Sequence, residues 1–340
     1  MTFSTPDFDD LPAVPGMPQG CAWGIFDKDG KKDLLGTLNL LTPDVVAAAC
    51  KEARDGVSVS LNWPLNASKV PMPGRIDPAH KVMTLQATGL SQGVGWDDEI
   101  SFNTQKSSQW DSLVHWAHQP TQLSYNGVAV TKEALSASTS RDNTTPTLDH
   151  WHAAGGLVAR GVLLDYKAWY EATAGANPPY HPFNGHRISV ADLEAIAAHQ
   201  GVELRHGDVL VVRTGTTEVL EAPTAEDFAK MASTQIVGVH GSVDTARWIW
   251  NRRFAAVAGD AMAFEALPPL DATGEVAGID EMVLHPWLLA MFGMPIGELW
   301  DLKALAAHCK SSGRYSFLLT SVPLNLPGLV GSPPNALAIF

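Results

Sequence analysis

The sequence predicts an α/β protein whose sheet is at least partly parallel. Three observations predict it. Short apolar runs of strand length alternate with helix-length segments through the second half of the chain, those helical segments carry start and stop signals, and 340 residues with 45% hydrophobic content are enough to bury a large core.

Residues 1–32 are rich in Pro, Gly and Asp and read as an irregular N-terminal arm, followed by a single domain over 33–340. The arm has too few apolar residues for a core of its own, so it is expected to wrap over the domain or a neighbouring subunit. Thr42-Pro43-Asp44 starts a helix that runs from Val45 to Ala53 and that Gly56 ends. Val57 to Leu61 alternates as a strand does. Residues 63–105, with Pro64, Pro71, Pro73 and Pro78 and four glycines, read as loop that caps or lines something. Gly161 to Asp165 is a buried-type strand. Ser189 and Asp192 resemble a capping box opening a helix over 190–199, which Gly201 stops. Val209 to Arg213 is the next strand, Ser242 opens a helix through Trp250, Phe254 to Gly259 is a strand, and Asp301 to Cys309 is a helix.

Composition narrows the function classes. A formal net charge of −13 leaves no basic surplus to displace counterions from a nucleic-acid backbone, so a small molecule is the expected ligand. Cys21, Cys50 and Cys309 suggest neither a disulfide framework nor a paired-cysteine zinc site, which fits a reducing interior. The first twenty residues lack a basic start and an apolar stretch, and no window approaches the ~18 apolar residues of a membrane span. The expected address is the cytoplasm.

Three stretches concentrate ionisable groups: Gln105 to His118, Gly259 to Glu265, and His285 to Glu298. Asp111 and His115 are four residues apart, which on a helix would set them on one face; an ordinary surface turn is the alternative. His285 and Glu298 bracket a helix-like apolar segment, so they either return to one divalent-cation site or serve as a core histidine and a solvated carboxylate. Asp260 and Glu265 follow a strand end, where open α/β sheets place their sites, and either acts as an acid/base group or caps its loop.

In their order along the chain these landmarks resemble the cyclase family of kynurenine formamidase-like and isatin hydrolase-like enzymes. Members carry H-x-G-T-H-x-D-x-P-x-H, later a helix and a GD-hydrophobic-R-T-G strand, and near the end a His followed by PI-x-E. Here the helix and strand are ISVADLEAIAAHQGVELRHGDVLVVRTG over 188–215, and the late elements are AAVAGDAMAFE over 255–265 and His285 to Glu298. The resemblance implies a swivelling β/β/α domain and a homodimer or homotetramer.

Laid on QKSSQWDSLVH, the first motif puts the family's Asp at Asp111 and its last His at His115, while two metal-binding histidines fall on Gln105 and Gln109. A binuclear zinc site is therefore not expected, since neutral amide oxygens suit zinc poorly. Asp111, His285 and Glu298 remain, a set that implies one Mn or Zn ion, or none. The resemblance implies hydrolysis of an amide, lactam or lactone of a small aromatic or cyclic metabolite, with His115 as general acid/base. The alternative is a metal-independent lyase, dehydratase or cyclase of secondary metabolism, with His115 as base and Asp111 or Glu298 as acid; a silent binding protein is the third reading. Gln105, Gln109, Trp110, Trp116, His118, Tyr125, His240 and Glu265 are the candidate substrate-binding residues, with Trp110, Trp116 and Tyr125, together with Trp96, as an aromatic wall.

Overall fold

The computed structural model describes residues 5–72, 74–136, 139–173, 179–271 and 273–340. The first four residues of the expected arm thus lie outside the described ones. The strands in chain order are β1 (Ser58–Ser60), β2 (Ala79–Thr84), β3 (Trp96–Ser101), β4 (Gln109–Asp111), β5 (Leu157–Asp165), β6 (Arg187–Ile188) and β7 (Val209–Arg213). They continue as β8 (Gly238–Val239), β9 (Ala256–Gly259), β10 (Ile296–Glu298), β11 (Ser316–Ser321), β12 (Gly331–Ser332) and β13 (Ala336–Ile339).

Nine of these form one mixed sheet in the order β1-β13-β11-β5-β7-β9-β10-β4-β12. Its centre, β5-β7-β9-β10, is parallel, and both flanks are antiparallel. The parallel strands are covered on both faces, which is why β7 and β9 are apolar and buried throughout until Arg213. One face packs on the helices Val190–Gln200 and Val243–Asn251 and on the Pro286–Phe292 segment; the other packs on Trp110, Trp151, Trp300 and the helix Lys303–Ser312. Gly161 is glycine because the Phe317 ring on β11 lies 2.3 Å from where a Cβ would be.

Local signals produce the helix ends. Ser189 accepts from Asp192 N while the Asp192 carboxylate accepts from Ser189 N, closing a capping box, and Gly201 ends that helix at φ 63°. Ser242 caps the next helix by accepting from Thr245 N. The helix expected through Ala53 ends at Ala49 and tightens into a 3-10 turn over Cys50–Glu52. The segment after His285 is a π-helix, Pro286–Phe292, all of it buried.

The arm delivers Phe8, Leu11, Cys21, Ala22 and Phe26 into the main core, where Phe8 stacks near Trp287 and Phe292. The Trp23 indole N–H donates to Ala290 O, tying the arm to the π-helix. Residues 63–105 depart from the loop expected there, because β2 and β3 form a hairpin within them. Its period-2 signal is broken by His80 and Asp98, polar residues on the same face as Val82 and Ile100. Among the described residues no helix is long and apolar enough to cross a membrane.

Candidate metal centre and active site

Strand alternation builds the floor of the site. Along β4, Gln109 and Asp111 point to one face of the sheet and Trp110 to the other. Glu298 on β10 lies directly opposite Gln109 in register. Asp111 is therefore a strand residue, and the helical spacing to His115 suggested by the sequence does not apply: a turn from Ser112 O to His115 N carries the chain away from the sheet. His285 enters from the residue before the π-helix. Metal-ligand atoms of Asp111, His285 and Glu298 all lie within 4.8 Å of one another, and all three residues are buried.

Behind His285 stands Glu265. Its carboxylate accepts from His285 Nδ1 at 2.8 Å, from His285 N at 2.8 Å and from Val283 N at 2.9 Å. One group thereby fixes the backbone of the segment and holds the proton on Nδ1, which turns Nε2 toward Glu298 Oε1 at 3.2 Å. Gly241 is glycine here because a Cβ would come within 2.7 Å of Glu265 Oε2. The sequence suggests Glu265 as a substrate contact; it is 1% exposed and sits on the far side of the imidazole, so it acts through His285 instead.

The two glutamines complete the pocket as a relay of amides. Gln109 Nε2 donates to Glu298 Oε2 and to Gln105 Oε1, both at 2.8 Å, and Gln105 Nε2 donates to Asp111 Oδ1 at 2.5 Å. Gly331 leaves room for this, since a Cβ there would stand 2.6 Å from Gln105 Nε2. Asp111 Oδ2, Gln109 Oε1 and the nearby Trp116 Nε1 are buried with no partner among the described residues. Unpaired buried polar atoms cost about 1–3 kcal/mol each, so three around one pocket call for a missing ion, water or ligand.

Burial pushes the Asp111 carboxyl up to about 6, a rise opposed by His115 and the Gln105 amide and reinforced by Glu298. For His285, burial favours the neutral ring, but the hydrogen bonds and charges of Glu265 and Glu298 outweigh it and raise it to about 10. Burial likewise raises Glu265 and Glu298, and the imidazole beside them more than reverses it, holding both below the ordinary carboxylate value. With no ion bound, Glu265 and Glu298 together favour the imidazolium form of His285.

His115 is half-buried, its charge is felt by both Asp111 and Glu298, and its ring nitrogens have no hydrogen-bond partner among the described residues. The Trp116 ring lies 5.9 Å from His285 and 6.5 Å from His115, so it borders the site. His118, hydrogen-bonded to Thr121 Oγ1, faces a cleft of about 560 Å³ with Pro120, Met282, Val283, Pro286 and Trp287. His240 precedes Gly241 beside Glu265, and its Nδ1 is buried without a partner among the described residues.

Three aromatic expectations are corrected. Trp110 is fully buried on the opposite face of β4, packed on Trp151 and Trp300 with its N–H on Ser321 Oγ at 2.8 Å. Tyr125 is also fully buried, its hydroxyl donating to Asp33 at 3.1 Å and its ring filling the space that Gly293 leaves. Trp96 is on the exposed hairpin. Asp260 caps not its own loop but the one after β7, accepting from Thr214 N, Thr214 Oγ1 and Gly215 N. Sequence reasoning missed Arg75, whose guanidinium donates to Gln105 O at 2.8 Å and whose charge reaches Glu298; it sits in a Pro/Gly-rich stretch with no motif to mark it. It also missed the Phe264 N–H that donates to Glu298 Oε1, a backbone group no side-chain pattern reveals.

The sequence profile of the Cyclase family matches residues 40–266. A crystal structure described as a novel cyclase is similar over 94% of this chain and 99% of its own, with 31% identity and a TM-score of 0.77. The chain belongs to the cyclase family. Its fold is shared with isatin hydrolase A from Labrenzia aggregata, bound to benzyl benzoate (14% identity, TM-score 0.52, 89% and 98% of the two chains). It is also shared with an isatin hydrolase bound to the product analogue thioisatinate (15% identity, TM-score 0.54, 85% and 93%). No curated protein matches the sequence.

Proposed function

We propose that this chain is a metal-dependent hydrolase that opens an amide, lactam or lactone bond in a small aromatic or cyclic molecule. The observation that carries the reading is the buried, convergent set Asp111, His285 and Glu298, with Asp111 Oδ2 left unpartnered among the described residues. Two carboxylates and an imidazole fit one Mn or Zn ion, and the fixed Nδ1–H leaves Nε2 as the ligand atom. A second metal is not supported, because Gln105 and Gln109 turn amide N–H groups toward the carboxylates. Solved structures named isatin hydrolases share the fold, which supports hydrolysis as the class of reaction.

When bound, the ion supplies Lewis-acid polarisation and a more acidic water. His115, free of side-chain hydrogen bonds among the described residues, takes the proton of the attacking water and returns it to the departing nitrogen or oxygen. Glu265 holds His285 in the binding tautomer, and Trp116 and the cleft beside His118 offer the apolar surface for the ring.

One observation favours the metal-free lyase: every carboxylate at the site already has a donor from His285, Gln109 or Gln105. In that reading His115 is the base and Asp111, pushed up to about 6 by burial, the acid. Elemental analysis with chelation separates the two. One equivalent of metal per chain, whose removal abolishes hydrolysis of lactam and lactone substrates and whose return restores it, supports the hydrolase; full turnover after chelation rejects it.

A further inference from the structure

Trp63 and the residues from Arg75 to Asp77 are strapped to the chain that enters β4. Trp63 N donates to Ser108 Oγ, Ser107 Oγ donates to Trp63 O, and Arg75 Nη1 donates to Gln105 O at 2.8 Å. The two cations of this strap end differently. Lys106 takes the Asp77 carboxylate at 2.8 Å, whereas Arg75, two residues from Asp77, has no carboxylate partner among the described residues. Arg160, Arg213 and Arg314, which are also withdrawn from full solvent, each meet at least one carboxylate.

Arg75 stands at the edge of the candidate site. Its anchor, Gln105, donates through its side chain to Asp111, and its charge is felt by Glu298. Neither residue requires that charge. Glu298 already accepts from Gln109 Nε2 and Phe264 N, and a neutral amide at position 75 could make the same bond to Gln105 O. The guanidinium is half-buried and so remains open to a bound molecule, and the donors not used on Gln105 form a planar fork that fits a carboxylate. Asp111, Glu265 and Glu298 make the pocket acidic, so an anionic molecule is repelled there unless a cation stands beside it.

We propose that Arg75 is a specificity-determining residue whose guanidinium binds a carboxylate that the substrate carries apart from the bond that is cut. The substrate class is then an anionic aromatic or cyclic acid. The assignment rests on the hydrolase reading for where the substrate sits, but its test reads binding without turnover, so full turnover after chelation sinks that reading alone. Calorimetry compares benzamide with the ortho, meta and para carbamoylbenzoates, amides that bear a separate carboxylate, and with benzoate, which mimics only the carboxylate released by hydrolysis. At least one carbamoylbenzoate is expected to bind roughly 10- to 100-fold more tightly than benzamide, the worth of a charge-assisted pair. Arg75→Gln, which can still donate to Gln105 O, is expected to abolish that preference with unchanged circular dichroism and metal content. Should this variant misfold, Arg75→Lys serves instead, expected to keep the preference but reduce it several-fold. Carbamoylbenzoates bound no more tightly than benzamide, or a preference that either variant leaves at the wild-type ratio, overturn the proposal. Dependence on Arg75 for benzoate alone overturns it in favour of a site for the product carboxylate.

Discussion

Two clusters of buried charge stand on the same sheet, one at the carboxyl end of β7 and the other where β4 pairs with β10, and they are neutralised in opposite ways. Around Arg213, at the end of β7, the Asp165 carboxylate takes the guanidinium on both oxygens at 2.9 Å, Glu218 takes it at 2.6 Å, and Asp260 is saturated by Thr214 and Gly215. Among the described residues no buried carboxylate oxygen there is left over, and the one unpartnered atom is a donor, Arg213 Nε. Around His285, three buried carboxylates share one imidazole, and Asp111 Oδ2 has no partner among the described residues. A cluster whose carboxylates are all paired locks strands together; an acidic cluster with an unpaired oxygen fits the cation of the proposed reading.

The contrast can be broken experimentally, and the largest effect is expected from His115. His115→Ala should cut turnover by roughly 10² to 10⁴, the usual share of general acid/base catalysis, with melting temperature and metal content unchanged. Steady-state kinetics beside a thermal melt decide it: near-normal turnover would remove His115 from the mechanism. Next, Arg213→Met should destabilise the protein by about 3–5 kcal/mol, because it strands buried carboxylates, while Asp111→Asn should cost little stability in the metal-free form. Denaturant titrations that rank these the other way would show the two clusters are not different in kind. Glu265→Gln should weaken metal binding roughly 10- to 100-fold, since the amide cannot accept from Val283 N, His285 N and Nδ1 together.

A pH experiment sharpens the same comparison. His285 has a folded-state pKa raised to about 10, so the stability it contributes is fully present below its ordinary value and is lost as pH rises through about 10. Asp111, raised to about 6, disfavours the fold once ionised, so its contribution is lost between about 4 and 6. The metal-free protein should therefore melt progressively lower from neutral pH to pH 10. At pH 7.5 metal binding should expel about one proton, the one on His285 Nε2, seen as a dependence of binding heat on buffer ionisation enthalpy. The smallest effect on activity belongs to Trp110→Phe, which removes one buried hydrogen bond to Ser321 and leaves a void between Trp151 and Trp300; it should cost about 2 kcal/mol of stability with KM unchanged. A raised KM would return Trp110 to the substrate site.

Much of this architecture is legible in the amino-acid sequence. Val209–Arg213 has the bounds expected of it, and the capping box at Ser189 follows from Ser and Asp three apart, a local signal with a local cause. Asp111, His285 and Glu298 can be named together because the order of the family's landmarks supplies the long-range pairing that no spacing rule gives. What stays hidden is facing. Trp110 sits between two site residues in sequence, yet a strand sends neighbours to opposite faces, and β4 is too short for its period to show against a helix. Tyr125 and Arg75 are misjudged or missed for a related reason: their partners, Asp33 and the Gln105 carbonyl, are set by tertiary packing.

The three residues of β4 interleave two sets of constraints. Gln109 and Asp111 face the candidate site, Trp110 the apolar layer, and β10 and β12 hold the register from either side. Substitutions on one face leave the other intact, so core and chemistry can drift separately by point mutation. A single inserted or deleted residue would trade the faces, driving Asp111 into the tryptophan layer and Trp110 into the pocket. Length variation in this family should therefore collect in the hairpin before β4 and the turn after it, and stop at the strand.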